Sequence, residues 1–326
     1  MPLTEKPLLE VYKLTCEYKF STKVLSSQLF TPIKAVNNVS FKINKGKTLG
    51  IVGESGSGKS TLARSIVQLI RPTNGDIFFN GDNITKIKNS NFKKIYRNIQ
   101  YIFQDPRSSI NPKYNIEKFI REPLDVHDIG SRLQRKLRVY ELLNLVGLDD
   151  QYAKRYSHEI SGGQMQRVCI ARALSINPDL VICDEPVASL DVSIQAQILN
   201  LLKSLQNKLN LTYLFISHDL GVIHYMSHDI GVMYFGKFVE YGDSNQICND
   251  PKHPYTKALI SSIPIPNPEY ERNRISGIYG EIPSHINPPK GCFYNPRCKE
   301  KNNVCLSNNP ENKKIGENHF IECHLY

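Results

Sequence analysis

The chain has 326 residues, enough for one large domain and an appendage. Hydrophobic residues make up 40% and charged residues 22%, which excludes a disordered chain. No apolar run reaches the roughly 18 residues of a membrane-spanning helix, and the opening Met1-Pro-Leu-Thr-Glu-Lys6 lacks the apolar core of a secretory leader. The net charge of +10 suits a face toward anionic lipid or nucleic acid, and equally lysines scattered over solvated surface.

In chain order, Val36–Ile43 alternates as a strand does. Lys47 to Val52 reads as a strand running into Gly53-Glu54-Ser55-Gly56-Ser57-Gly58-Lys59-Ser60-Thr61. That run fits the phosphate-binding pattern G-x-x-x-x-G-K-[ST]. Triphosphate carries several negative charges, and successive backbone N–H groups in a glycine-rich turn form an anion nest that a following helix N-terminus reinforces. Lys59 is expected to reach the terminal phosphates and Ser60 to offer its hydroxyl to Mg²⁺. The helical spacing from Ser60 to Ile70 stops at Pro72, and Phe78-Phe79 between Gly75 and Gly81 reads as a hairpin edge.

Tyr101-Ile-Phe-Gln104 is a short apolar run ending in a glutamine. From Asn115 to Gly147 the pattern is helical, with Leu133, Leu137, Val139, Leu142, Leu143 and Val146 as the expected apolar face. Ser161-Gly162-Gly163-Gln164 opens another helix, with Ala171, Leu174 and Ile176 packing inward. Leu180-Val-Ile-Cys-Asp184-Glu185 is a buried strand ending in two carboxylates, at the strand end where open α/β sheets bind ligands. Asp184 is a candidate Mg²⁺ holder and Glu185 a candidate general base. Thr212 to His218 is a further strand with a polar end. Gln104 and His218 are candidate sensors of the γ-phosphate. Asp229 to Gly242 reads as strand–turn–strand about Gly236-Lys237.

This order of motifs resembles the ATP-binding-cassette (ABC) ATPases over about residues 9–241. The resemblance implies an α/β fold: a P-loop ATPase with a mixed-sheet RecA-like core, an antiparallel β subdomain, a helical subdomain at about 112–170 and a small cysteine-rich C-terminal extension. The cassette is expected to span 1–245 and the appendage 246–326. Gly53 to Thr61 looks like Walker A, Gln104 like the Q-loop glutamine that also touches Mg²⁺, and Ser161 to Gln164 like the ABC signature. Asp184 and Glu185 look like Walker B and the catalytic base, Ser189-Leu190-Asp191 like the D-loop and His218 like the switch histidine. The adenine-stacking aromatic is Tyr18, at the end of the first strand, or Phe30.

After Gly242, His253-Pro-Tyr-Thr-Lys-Ala-Leu and Ile263-Pro-Ile-Pro-Asn-Pro268 are expected to form an extended connector, since proline opposes helix. The polar tail beyond carries Cys292, Cys298, Cys305 and Cys323, separated by five, six and seventeen residues. A module this poor in apolar residues needs a staple, and four thiolates suit either Zn²⁺ or a [4Fe–4S] cluster. His319 and His324 are substitute ligands. Cys16, Cys169, Cys183 and Cys248 read as ordinary thiols.

The tail resembles that of oligopeptide- and dipeptide-importer ATPases through His253 to Leu259, Pro264 to Pro268, Gly280-Glu-Ile-Pro-Ser, Asn287-Pro-Pro, Gly291-Cys292-Phe and Arg297-Cys298. The F-type subunit of bacterial peptide permeases matches best. That resemblance implies a [4Fe–4S] cluster on the four tail cysteines. It also implies pairing with a homologous D-type ATPase, two membrane permease subunits, an external peptide-binding protein met indirectly, and a peripheral place on the cytoplasmic face of the inner membrane. Nickel and other small-solute importers share much of this tail. A soluble ABC ATPase acting on nucleic acid or ribosomes is the competing reading, disfavoured by the single cassette and the short interval between loop and signature. No nucleic acid is expected as a partner.

Overall fold

Strand-forming segments open the chain. The computed structural model describes residues 6–24, 27–87, 92–263 and 280–326, with side chains throughout except in 19–31. Strands β1 (Leu9–Val24) and β2 (Ser27–Ile43) lead to β3 (Thr48–Val52), whose five residues are all buried. Helix α1 (Lys59–Ile66) follows the phosphate-loop segment, then β4 (Asn74–Phe79) and β5 (Asp82–Asn83). The helix stops short of Ile70 because Gln68 turns left-handed, at φ 59°. The expected hairpin edge forms: β5 pairs antiparallel with β4, which pairs with β1 from Leu9↔Phe79 onward, in the order β2-β1-β4-β5.

The chain continues through α2 (Phe92–Asn98), β6 (Ile99–Ile102), α3 (Ile116–Val126), α4 (Arg132–Leu145), α5 (Gly162–Leu174), β7 (Leu180–Asp184), α6 (Val192–Leu209) and β8 (Thr212–Ser217). Strands β6, β7 and β8 run parallel and in register, from Ile99↔Leu180 and Leu180↔Thr212. The helical stretch expected over 115–147 forms as two helices. Asp128 and Gly130 take left-handed angles, and Ser131 and Gln134 close a capping box that starts α4. Val139, Leu142, Leu143 and Val146 are fully buried as expected, but Leu133 and Leu137 are exposed by 67% and 55% and do not belong to that core.

Last come α7 (Leu220–Met226), β9 (Asp229–Tyr234), β10 (Lys237–Asp243), α8 (Ser244–Asn249), α9 (Pro254–Ser261), α10 (Asn303–Ser307), β11 (Asn312–Gly316) and β12 (His319–Glu322). Two units emerge. One takes in Ile43–Lys47 and Lys86–Ile216, the other Pro7–Lys42, Thr48–Thr85 and Ser217–Tyr326. In the second, β3 runs parallel to β9, β9 pairs antiparallel with β10, and the β11–β12 hairpin joins β10 through Glu240↔Ile321.

Two tail expectations change. The connector is helical over α9, because Pro254 occupies the first turn, where its missing N–H costs nothing. The prolines from Pro264 to Pro268 lie outside the described residues. Nor is the tail without packing of its own: Tyr294, Cys305, Ile321 and Cys323 are buried, and β12 extends a sheet. Glu240, 1% exposed, organises the junction. Its carboxylate accepts the Lys252 N–H (2.8 Å) and the His253 N–H (2.9 Å), and it is paired with His319 Nε2 (2.8 Å).

His253 caps α9 by accepting the Tyr255 N–H on Nδ1 at 3.0 Å. Burial drives this imidazole down to about 3 from its ordinary 6.5, so it stays neutral when folded. The unfolded chain binds a proton below about 6.5 and the folded chain does not, so stability is lost as pH falls from there toward 3. Between pH 7 and pH 5 the loss from His253 is about 2 kcal/mol. His253→Asn, which keeps a capping oxygen, should flatten that part of the melting-temperature profile against pH.

Candidate functional site

In the second unit, β3 delivers the chain into Gly53–Thr61. Gly58 sits at φ 104°, and a Cβ there would collide with the Ala35 carbonyl. Only glycine meets both demands. Lys59, 4% exposed, turns its ammonium into the loop and donates to Gly53 O (2.7 Å) and Glu54 O (2.8 Å). The Ser57 hydroxyl lies 3.5 Å from the same nitrogen. These bonds tie up loop carbonyls, an arrangement that suits backbone N–H groups turned toward an anion. Ser60 and Thr61 lie in the first turn of α1. The Tyr18 hydroxyl is 3.4 Å from Thr61 Oγ1 and the residue is 44% exposed, so an aromatic stands beside the start of this helix. Tyr18 lies within β1 and not at its end. The side chain of Phe30 lies outside the described residues.

In the first unit, the parallel register of β6 and β7 brings their C-terminal ends side by side. Gln104 Nε2 donates to Glu185 Oε2 at 3.0 Å, and the Tyr101 hydroxyl donates to Asp184 Oδ2 at 2.7 Å. Asp184 is 1% exposed. Glu185 takes a left-handed φ of 49° and donates its N–H to Ile216 O at 3.0 Å, which aims its carboxylate out of the strand's line. Such a conformation in a non-glycine residue is found at functional sites. Sequence reasoning missed Tyr101, which the parallel register sets opposite Ile182, two residues from Asp184.

Ser161 is the exposed N-cap of α5. Its hydroxyl accepts the Gln164 N–H (3.3 Å), and Gln164 Oε1 accepts the Ser161 N–H (2.9 Å). The S-x-x-Q spacing is a capping box, a signal readable from sequence alone. Gln164 also donates to the Tyr152 hydroxyl at 2.9 Å. Ala171, Leu174 and Ile176 pack inward as expected. Ser189 and Asp191 are exposed and Leu190 half-buried at the approach to α6. His218 directly follows β8, and Asp219 caps α7 by accepting the Gly221 and Val222 N–H groups.

Among the described residues, no group of three or more His, Cys, Asp or Glu side chains is placed to hold a metal ion. The metal centre expected on Cys292, Cys298, Cys305 and Cys323 therefore has no support from the placement of these side chains. Cys305 Sγ instead donates to Asn302 Oδ1 at 3.1 Å, His319 is engaged by Glu240, and His324 Nε2 bonds Asn308 O at 2.8 Å. Burial pushes the Cys292 thiol up to about 11, and the other three tail sulfurs are near enough to add to that shift. Cys298 and Cys323 are raised for the same reasons, with nearby backbone N–H groups working in the opposite direction. The remaining cysteines behave as expected: burial raises Cys16 and Cys183, and lifts Cys169 to about 12 and Cys248 to about 11.

Two family models match. The ABC transporter model covers residues 36–188, and the oligopeptide/dipeptide transporter C-terminal region model covers 239–305. The oligopeptide transport ATP-binding protein AppF of Bacillus subtilis is 48% identical over 297 residues, spanning 90% of each chain. The oligopeptide transport ATP-binding protein OppF of Haemophilus influenzae is 46% identical over 97% of this chain and 96% of its own. Among solved structures, the dimeric ATP-binding cassette MJ0796 bound to ADP and phosphate superposes with a TM-score of 0.64 at 29% identity, over 72% of this chain and 98% of its own. CbiO1 of Clostridium perfringens, part of the transporter complex cbiONQ, superposes with a TM-score of 0.65 at 25% identity, over 76% and 92%.

The loop geometry makes a direct demand. Lys59→Ala removes the only side-chain ammonium within Gly53–Thr61, and should weaken equilibrium binding of MgATP at least about tenfold, the scale of one charge-assisted contact. Titration of a fluorescent ATP analogue into the full chain measures it.

Proposed function

This chain belongs to the ABC transporter ATPases, in the branch of oligopeptide-transport ATP-binding proteins, and on that premise we propose how its residues divide the work. It binds and hydrolyses ATP to power peptide import across a bacterial cytoplasmic membrane. The observation that carries this reading is identity of 48% across 90% of both chains, with the two family models in sequence.

In the proposed assignment, Gly53 to Thr61 holds the phosphates, with Lys59 on the terminal ones and Ser60, Gln104 and Asp184 around Mg²⁺. Tyr18 stacks on adenine. Glu185 takes the proton of the attacking water, with Gln104 and His218 contacting the γ-phosphate region. The bond between Gln104 and Glu185 supports this, because it joins the proposed sensor to the proposed base. Ser161, Gly162, Gly163 and Gln164 complete the site of a second subunit. The exposed Ser161 at the mouth of α5 supports that role. A γ-phosphate gripped by two chains favours their closed pair over the open one, since ATP binds the two states unequally.

The partner proposed is a homologous D-type ATPase, with two permease subunits served by an external peptide-binding protein. No described helix is long and apolar enough to cross a membrane, so membrane attachment is assigned to the permease. The exposed Leu133 and Leu137 on the helical segment give it an apolar foothold. Functionally, 1–245 is proposed as the cassette, with the helical subdomain at about 112–170, and 246–326 as the tail. For the tail cysteines a [4Fe–4S] cluster, or Zn²⁺ in its place, remains a proposal. It is supported by the family likeness and by four sulfurs within electrostatic reach of one another. Iron, sulfide and zinc analysis of freshly purified chain tests it.

Glu185→Gln should retain ATP yet hydrolyse it at least about 100-fold more slowly, the usual worth of a general base. It should accumulate as a closed ATP-bound pair with its partner. Turnover at the unmodified rate would remove Glu185 as base. Affinity purification from detergent-solubilised host membranes should recover two multispanning proteins and a second ATPase. Recovery of ribosomal or nucleic-acid-bound proteins alone would overturn the importer reading.

A further inference from the structure

Glu54 places a carboxylate beside a site proposed to hold a triphosphate. It is the first variable residue of the phosphate loop, and it brings a carboxylate to a segment whose other features attract anions. A fixed negative charge at that position opposes the ligand. The tail answers it. Arg297 Nη1 meets Glu54 Oε2 at 2.6 Å, and Nη2 meets Oε1 at 3.0 Å, a two-pronged pairing across 243 residues of sequence. The Arg297 side chain is only 3% exposed and that of Glu54 is 22% exposed. Fork-to-carboxylate geometry is what makes a buried ion pair tolerable, because both charges are satisfied.

The same face of the loop is held at two further points by the chain beyond β10. The Glu54 N–H donates to the Tyr255 hydroxyl at 2.9 Å. Tyr255 is fully buried against Tyr234 and Tyr294, with ring centroids 4.7 and 5.4 Å away. The His285 ring stacks on Phe235 at 4.0 Å, and its Nε2 lies 3.2 Å from Gly56 O. Arg297 itself is anchored by its N–H to Tyr294 O at 3.0 Å, one residue before Cys298.

We propose that Arg297 is a positioning residue of the nucleotide site: it neutralises Glu54 and fixes the outer turn of the phosphate loop, so that the loop accepts ATP. This rests on Gly53–Thr61 as the ATP site. The nucleotide-binding machinery of this chain then includes part of its C-terminal tail. By linkage, ATP stabilises the tail as much as the tail favours ATP.

The test is equilibrium binding of MgATP to the full chain. Arg297→Gln should weaken binding roughly tenfold, the effect of one unpaired charge acting through partly screened protein. Adding Glu54→Gln to that variant should recover most of the lost affinity, since the charge in need of cancelling has gone. Raising the ionic strength should shrink the deficit of Arg297→Gln, because salt screens the partly exposed Glu54 carboxylate. Arg297→Lys should fall between the two, keeping the charge and losing the fork.

A double variant as weak as Arg297→Gln would overturn the proposal, and so would unchanged binding in Arg297→Gln. If Arg297→Gln fails to melt cooperatively, the double variant, which carries no unpaired charge, decides alone: affinity within a few-fold of the unmodified chain supports the proposal, and a tenfold loss overturns it. An unmodified chain that bound no ATP would overturn the loop assignment and this one together. A failure confined to rescue overturns only this one.

Discussion

A phosphate-binding loop has to turn its N–H groups toward an anion while its carbonyls find partners elsewhere. Lys59 meets half of that requirement before any nucleotide is considered. Its buried ammonium bonds the carbonyls of Gly53 and Glu54, so the loop closes around a cation contributed by the helix it leads into. Further bonds come from outside the motif: Gly236 donates its N–H to Ser57 O at 2.9 Å, satisfying another loop carbonyl, and the Tyr255 hydroxyl takes up the Glu54 N–H. Gly58 then passes beneath the Ala35 carbonyl with no room for a side chain. Backbone accounting, more than any one side chain, dictates which residues this segment tolerates.

In the first unit the corresponding constraint is register. Three parallel strands aligned residue by residue end on one edge, so residues just beyond each strand meet without long-range design. Gln104 and Glu185 touch for that reason, and Tyr101, inside β6, reaches the carboxylate of Asp184 inside β7. Glu185 leaves the strand through a left-handed turn that its neighbours must stabilise. Cys183, two residues earlier, is buried and its thiol is held protonated, which leaves the Asp184 and Glu185 carboxylates as the ionised groups at this strand end.

What the sequence revealed follows how local each cause is. The loop, the buried strands and the capped start of α5 are set by residues within a few positions of each other, and they read directly. Val139, Leu142, Leu143 and Val146 were predictable from helical period, but the same period swept in Leu133 and Leu137, which the break at Gly130 and the capping box at Ser131 turn to solvent. The tail misled for a related reason. His319 to Glu322 alternates buried and half-buried residues, the mark of a strand, in too short a run to stand out. Its cysteines point to metal chemistry, while the contacts by which Glu240, Arg297 and Tyr255 join tail to cassette follow no local pattern, even though Tyr255 and Arg297 stand in the runs that carry the family likeness. Pairings across 243 residues, such as Arg297 with Glu54, leave no periodicity to detect.

The β11–β12 hairpin has a consequence for solubility. Strand β10 would otherwise present a row of open amide and carbonyl groups, an invitation to pair with the wrong chain. The hairpin covers that row at Glu240 and Tyr241 and passes the edge there outward to β11. There the edge is five residues long, carries the exposed Lys313 and Lys314, and loses register between Lys314 and Gly316. Short length, like charges and an irregular register each discourage a further strand from adding. The tail thus closes off a growing face, exchanging an edge that could polymerise for one that repels its own copies.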